Sequence, residues 1–176
     1  MKPTRTSDPE TVRRADRIVV PGQGAFADAM SALVACGLDQ AIREHIAAGK
    51  PYLGICLGLQ LLFDESDEHG VSKGLGVLRG RVERISAPGL KVPHMGWNDV
   101  RATRSDPVLD ADGQHFYFVH SYAAVPTEPE ITVLECDYGS ALCAAVRRDN
   151  ITACQFHPEK SQDSGIALLT RWLELT

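Results

Sequence analysis

No apolar stretch in this 176-residue sequence is long enough to cross a bilayer. The densest run, Pro51 to Phe63, is short and is interrupted by Gln60. The opening residues, MKPTRTSDPE, have no apolar core of the kind a secretory signal needs. No basic block is present either. The formal net charge is −5 with both signs mixed along the chain, so nucleic acid is not expected as the main partner. Cysteines are few and odd in number, at Cys36, Cys56, Cys136, Cys143 and Cys154, and none forms a C-x-x-C pair. That excludes a disulfide framework and a clustered zinc site. The acidic run Asp64–Glu68 lacks EF-hand spacing and reads as a solvated loop. General disorder is excluded by 44% hydrophobic and 23% charged residues. What remains is a cytoplasmic globular chain, a single domain over 1–176, with no metal and no organic cofactor implied.

Periodicity supplies the elements. Ser7-Asp8-Pro9-Glu10 reads as a helix start, with an N-cap residue, proline in the first turn and an acid near the positive end of the dipole. Ile18-Val19-Val20 reads as a buried strand stopped by Pro21-Gly22. Helical spacing over 26–35 and 38–48 is punctuated by Gly37 and closed by Gly49. Pro51–Ile55 is a second buried strand, and Leu57–Phe63 returns to helical spacing. Strand, helices and strand in this order imply parallel pairing with crossover helices. The second half carries short strands at 76–78, 82–85, 116–119, 131–134 and 144–146. Asp149-Asn150 is a hairpin turn before Ile151–Phe156. Ser164–Leu175 is an amphipathic helix with Ile166, Leu169, Trp172 and Leu173 on one face.

Chemistry concentrates at three places. Cys56 stands between a strand and a helix with Gly54 and Gly58 two residues to either side, the spacing of a nucleophile elbow. A helix starting there points N–H groups at the sulfur and favours the thiolate, and the Leu57 N–H would face an oxyanion. Most free cysteines are small buried residues, and the other four read that way. A cysteine nucleophile needs a base and a group to orient it. His157-Pro158-Glu159 offers both, two residues apart in a segment that proline would keep extended, so that both side chains face one way. Alone, this triplet could equally be a surface ion pair. Pro21-Gly22-Gln23-Gly24 frees backbone N–H groups to face an anion. Alone, it is equally an ordinary strand-to-helix turn.

These motifs, in this order, resemble the class I (triad) glutamine amidotransferases. PHMGWN at 93–98 and FYFVHSY at 116–122 narrow the resemblance to the glutaminase subunits of imidazole glycerol phosphate synthase. The resemblance implies a three-layer α/β/α fold with a mostly parallel, flavodoxin-like sheet. It implies Cys56 as nucleophile, His157 as base and acid, and Glu159 orienting His157. Gly22, Gln23, Gly24 and Leu57 would form the oxyanion site. Gln60, His120, Ser121 and Tyr122 would hold glutamine. It further implies a (β/α)-barrel synthase partner that receives ammonia, met through Pro93, His94, Met95, Gly96, Trp97, Asn98 and Lys160. Trp97, flanked by Gly96 and Asn98, reads as an anchor on a loop.

The sequence departs from that pattern in two ways. The family opens with a further strand and helix carrying a Tyr-Gly-x-Gly-Asn-type segment, and Thr6–Pro9 here follows Met1 almost directly. An exposed strand edge is expected where that unit would pair. Gln23 also stands where the family more often has an aliphatic residue. Three other readings compete: an amidotransferase serving a different synthase, a partner-free cysteine hydrolase, and a non-catalytic binding subunit.

Overall fold

The computed structural model describes residues 3–176. It opens with helix α1 (Pro9–Arg14), strand β1 (Ile18–Gly22), helices α2 (Phe26–Ala35) and α3 (Leu38–Ala47), strand β2 (Tyr52–Cys56) and the single turn α4 (Leu57–Gln60). The short strands β3 (Glu65–Ser66) and β4 (Ser72–Lys73) follow, then β5 (Gly80–Arg84), β6 (His94–Asp99) and β7 (Arg101–Ala102). The rest is β8 (His115–His120), β9 (Tyr122–Pro126), β10 (Thr132–Asp137), β11 (Ala141–Arg148), β12 (Ile151–Cys154) and helix α5 (Gln162–Leu175).

The central sheet has six strands in the order β1-β2-β12-β11-β10-β7. β1 and β12 pair parallel to β2, whereas β12–β11, β11–β10 and β10–β7 are antiparallel. The sheet is therefore mixed rather than mostly parallel. The Asp149-Asn150 hairpin, with Asp149 at φ 50°, turns β12 against β11 and starts the antiparallel half. A four-stranded sheet, β4-β3-β5-β9, and the ribbon β6-β8 complete the strands.

Alternate residues of the central strands face opposite ways. Leu53, Ile55 and Cys154 join a core closed by Leu168 and Trp172 of α5. Tyr52, Ile151 and Ala153 join a second core closed by Phe26 and Met30 of α2 and Ile42 and Ile46 of α3. Helices thus cover both faces, which makes the fold three-layered α/β/α. Among the described residues no helix is long and apolar enough to cross a membrane.

Several expectations are corrected. β1 continues through Pro21-Gly22 and is an edge strand rather than a buried one, with Val19 48% exposed. Proline is tolerated because an edge strand need not donate on its outer side. Helix α4 stops at Gln60, after which Leu61 and Leu62 carbonyls accept from Leu75, Val77 and Leu78 N–H groups. Residues 76–78 are consequently a loop and not a strand. In α5 the buried line is Gly165, Leu168 and Trp172, while Ile166 and Leu173 face solvent. Gly165 sets this rotation: a Cβ there would sit 1.8 Å from Pro158 O, so that flank is pressed against the preceding turn. Asp64–Glu68 is not a solvated loop. Asp64 accepts from Gly80 N–H at 3.0 Å, and Ser66 is buried in β3.

Candidate active site

β2 delivers Cys56 as its last residue, and α4 departs at once. The Cys56 backbone lies at φ 54°, ψ −107°, a conformation that costs an L-residue on the order of 1–3 kcal/mol and must be held by its surroundings. The holding contacts are glycine contacts. A Cβ on Gly58 would be 1.8 Å from Val20 O, and one on Gly54 would be 2.6 Å from Gly58 O. β1, β2 and α4 meet at backbone distance there, so the G-x-C-x-G spacing is a packing requirement.

β12 runs parallel beside β2, so the chain beyond Cys154 emerges at the same sheet edge as Cys56. His157 sits there, 5% exposed, with its backbone N–H donating to Tyr117 O at 2.9 Å. Its Nδ1 is 2.7 Å from Glu159 Oε1. A carboxylate accepts, so Nδ1 carries the proton and Nε2 presents its lone pair. Nε2 is buried and has no partner among the described residues. The expected extended His-Pro-Glu segment is corrected in its cause. Pro158–Lys160 form a 3-10 turn, and this turn rather than strand alternation swings Glu159 back onto the imidazole.

Cys56, Leu57, His157, Gln23 and Gly24 share a cleft of about 300 Å³ with Gln60, His120, Ser121 and Tyr122. Gly22 lines the adjoining depression with His157, Glu159 and Lys160, and pairs in register with Cys56. The structure thus gathers the expected nucleophile, base, oxyanion and glutamine-binding residues at one place. Two further residues escape the sequence reading. Glu68 lines the cleft and its carboxylate accepts from Phe26 N–H at 2.7 Å. Gln155 is fully buried and its Nε2 donates to Cys56 Sγ at 3.6 Å. Glu68 was masked by its acidic neighbours; the Gln155-x-His157 spacing was the available signal for the other.

The helix start acts in the expected direction, through the Leu57 N–H, but burial outweighs it. Burial pushes the Cys56 thiol up to about 11. The Leu57 N–H and the Gln155 amide oppose this, and the Glu159 charge adds to it. α4 is a single turn, too short to supply a macrodipole that offsets desolvation.

Within the segment at 93–98, residues 94–98 lie in a strand and not in a loop. β6 pairs with β8 from His94↔His120 to Asp99↔His115. Its period-2 alternation points Met95 and Trp97 outward, 61% and 47% exposed, and turns His94 inward. His94 therefore has no outward side chain to offer a partner, and Asn98 is tied to Asp137 O at 2.8 Å. Pro93 is exposed, Gly96 is half-buried, and Lys160 is exposed with its Nζ 6.0 Å from the Tyr117 ring centroid. Trp97 packs edge-on to the same ring.

Inside this ribbon, His94 Nδ1 and His120 Nε2 are 3.0 Å apart, and His120 Nδ1 donates to Tyr122 O at 2.9 Å. Burial pushes both imidazoles down to about 4. Below the ordinary histidine range of about 6.5 the unfolded chain takes up protons that the folded chain refuses. Stability therefore falls as pH drops from 6.5 towards 4, by on the order of 1–2 kcal/mol for the coupled pair between pH 7 and pH 5. Urea midpoints at the two pH values should show this fall, and His94→Gln should flatten it. Equal midpoints would show that the rings titrate normally.

Known proteins align with this geometry. The family model for "Glutamine amidotransferase class-I" matches residues 1–173. A subunit HisH of imidazole glycerol phosphate synthase from Rhodopirellula baltica is 50% identical over 170 residues, covering 95% of this chain and 82% of the relative. The chloroplastic imidazole glycerol phosphate synthase hisHF of Arabidopsis thaliana is 46% identical over 169 residues, covering 94% of this chain and 28% of that longer protein. A solved glutamine amidotransferase superposes with a TM-score of 0.75 over 99% of this chain and 86% of its own at 23% identity, a likeness of fold. The chain belongs to the class I glutamine amidotransferases, in the branch formed by the HisH subunits of imidazole glycerol phosphate synthase.

Proposed function

We propose that the chain hydrolyses glutamine to glutamate and ammonia at Cys56 and passes the ammonia to a (β/α)-barrel synthase subunit in histidine biosynthesis. One observation carries the assignment of the reacting groups. Cys56 sits on a strained elbow in the same cleft as His157, whose Nδ1 is held by Glu159 and whose buried Nε2 has no partner. With burial pushing the thiol up to about 11, the sulfur is protonated near neutrality. A base must therefore take the proton as the sulfur attacks. His157 Nε2 takes it, Cys56 Sγ adds to the side-chain carbonyl of glutamine, and a tetrahedral oxyanion forms. Leu57 N–H and an N–H of the Gly22–Gly24 loop face that oxygen. The imidazolium then gives its proton to the departing amine, releasing ammonia and leaving a γ-glutamyl thioester. Water, deprotonated by His157, cleaves the thioester to glutamate and restores the thiol.

Both amide hydrogens of Gln60 are already committed, to Tyr122 O and Gln155 Oε1, so this residue can meet the substrate only through Oε1. With the Glu68 carboxylate on the same cleft it suits an α-ammonium group. The partner reading is supported by the relatives' shared synthase name and by the hisHF protein, where the matching region is 28% of a longer chain. The outward Met95 and Trp97, beside Tyr117 and Lys160, form the apolar and cationic patch on which we place that partner.

Glu159 is tested separately. Its side chain is 48% exposed, so its ion pair with His157 adds little to stability. Glu159→Gln should leave the unfolding midpoint nearly unchanged while lowering kcat about 10- to 100-fold, because an amide holds the wrong tautomer as readily as the right one. An unchanged kcat in steady-state glutaminase assays would remove Glu159 from the mechanism.

A further inference from the structure

Gln155 has no part in the chemistry just described, yet it is completely buried and both ends of its amide are engaged. Its Nε2 donates to Cys56 Sγ at 3.6 Å, and its Oε1 accepts from Gln60 Nε2 at 3.0 Å. Gln60 gives its other amide hydrogen to Tyr122 O at 2.9 Å. The same carbonyl accepts from His120 Nδ1, which forces His120 Nε2 to accept from His94 Nδ1. His94 Nε2 is left to accept from Asn98 Nδ2 at 3.3 Å. Every donor along this line therefore has one available direction, and Gln155 cannot flip its amide without placing an oxygen against sulfur and a nitrogen against the Gln60 donor.

We propose that Gln155 is a catalytic residue whose fixed Nε2–H donor stabilises the Cys56 thiolate, with Gln60 as its positioning residue. This rests on the reading of Cys56 as the nucleophile. Gln155 is well suited to the task. An N–H donor to sulfur strengthens when the sulfur becomes an anion, so it favours the ionised form over the thiol. It acts without bringing a second cation beside His157, which must itself become cationic during the reaction. Burial and the negative charge of Glu159, two residues beyond His157, oppose ionisation, and the Gln155 amide works against them beside the Leu57 N–H and the Lys160 charge.

Alkylation by iodoacetamide tests the idea in the full chain, because this electrophile carries no amino-acid group for the substrate contacts of Gln60 to recognise. Site-resolved mass spectrometry between pH 6 and 11 gives the rate at Cys56, while Cys136, Cys143 and Cys154, all buried, report whether the fold is intact. Gln155→Met should slow Cys56 alkylation about 5- to 10-fold at pH 7.5 and shift its pH profile upward, with the other three cysteines still protected. If Gln155→Met loses that protection, Gln60→Met decides. It leaves the donor in place but unheld and should slow Cys56 2- to 3-fold. A Cys56 rate and pH profile matching the parent chain in the folded variant overturns the proposal. A parent Cys56 that reacts no faster than the other buried cysteines would instead overturn the nucleophile reading itself.

Discussion

Cys56→Ala reduces glutamate release to background, a loss of at least about 10,000-fold in kcat/KM, in line with removal of other activated nucleophiles. The size of the effect follows from the geometry. Cys56 Sγ is the atom in the cleft that both receives a directed amide donor and shares the space with the unpartnered His157 Nε2. A water molecule in place of the sulfur would have to attack an amide without the covalent intermediate that divides the reaction into two easier halves. Alanine keeps the backbone strain at φ 54° and removes a single atom, so the unfolding midpoint should move little. Glutamate release is measured with and without the barrel synthase and its nucleotide ligand. Partner-dependent release that vanishes in Cys56→Ala supports the full reading. Release within tenfold of the parent chain would place the chemistry elsewhere.

Alongside an addition at Gly165, Gly58→Ala should be one of the two most damaging methyl additions among the described glycines. Its Cβ would lie 1.8 Å from Val20 O and 3.0 Å from the Val20 carbonyl carbon, both of them backbone atoms that cannot rotate away. The contact can be relieved only by driving β1 away from α4, and β1 is held on one side alone, by β2. Overpacking against movable side chains costs about 1–3 kcal/mol. Against backbone the cost should reach at least about 3 kcal/mol, and urea unfolding checks it. β1 ends at Gly22 beside Cys56, so its displacement would disturb the oxyanion loop and activity should fall in whatever fraction still folds. A variant as stable as the parent chain would show that the elbow is looser than its contacts indicate.

The elbow was readable because its cause is local. Strand, cysteine, helix start and two glycines all lie within a few residues, and only that spacing lets three backbones converge. The asparagine hairpin at 149–150 was readable for the same reason. The antiparallel half of the sheet was not, because β11 and β10 are buried runs without clear alternation, and pairing direction is set by partners distant in sequence. β6 was hidden by Gly96 and Asn98, residues that depress strand propensity, although its alternation of inward His94 and outward Met95 and Trp97 is regular. In α5 the larger residues Ile166 and Leu173 drew the apolar face the wrong way, since the contact that orients the helix is made by Gly165, which has no side chain to weigh. His157 and Glu159 were correctly paired on an incorrect geometry, because a 3-10 turn and an extended strand can both bring residues two apart together.

The position of β12 between β2 and β11 has a consequence for how the chain matures. The sulfur and the amide that touches it are 99 positions apart in sequence. As the polypeptide leaves the ribosome, the first helices and β1–β2 can collapse early, yet β2 has no inner neighbour until the last strand inserts beside it. Long-range insertion of this kind is a late and slow event. Cys56 consequently stays without its base until β12 and the turn that carries His157 have been made and inserted. A nascent or truncated chain would be unable to consume glutamine, and hydrolytic capacity would arise together with the completed sheet.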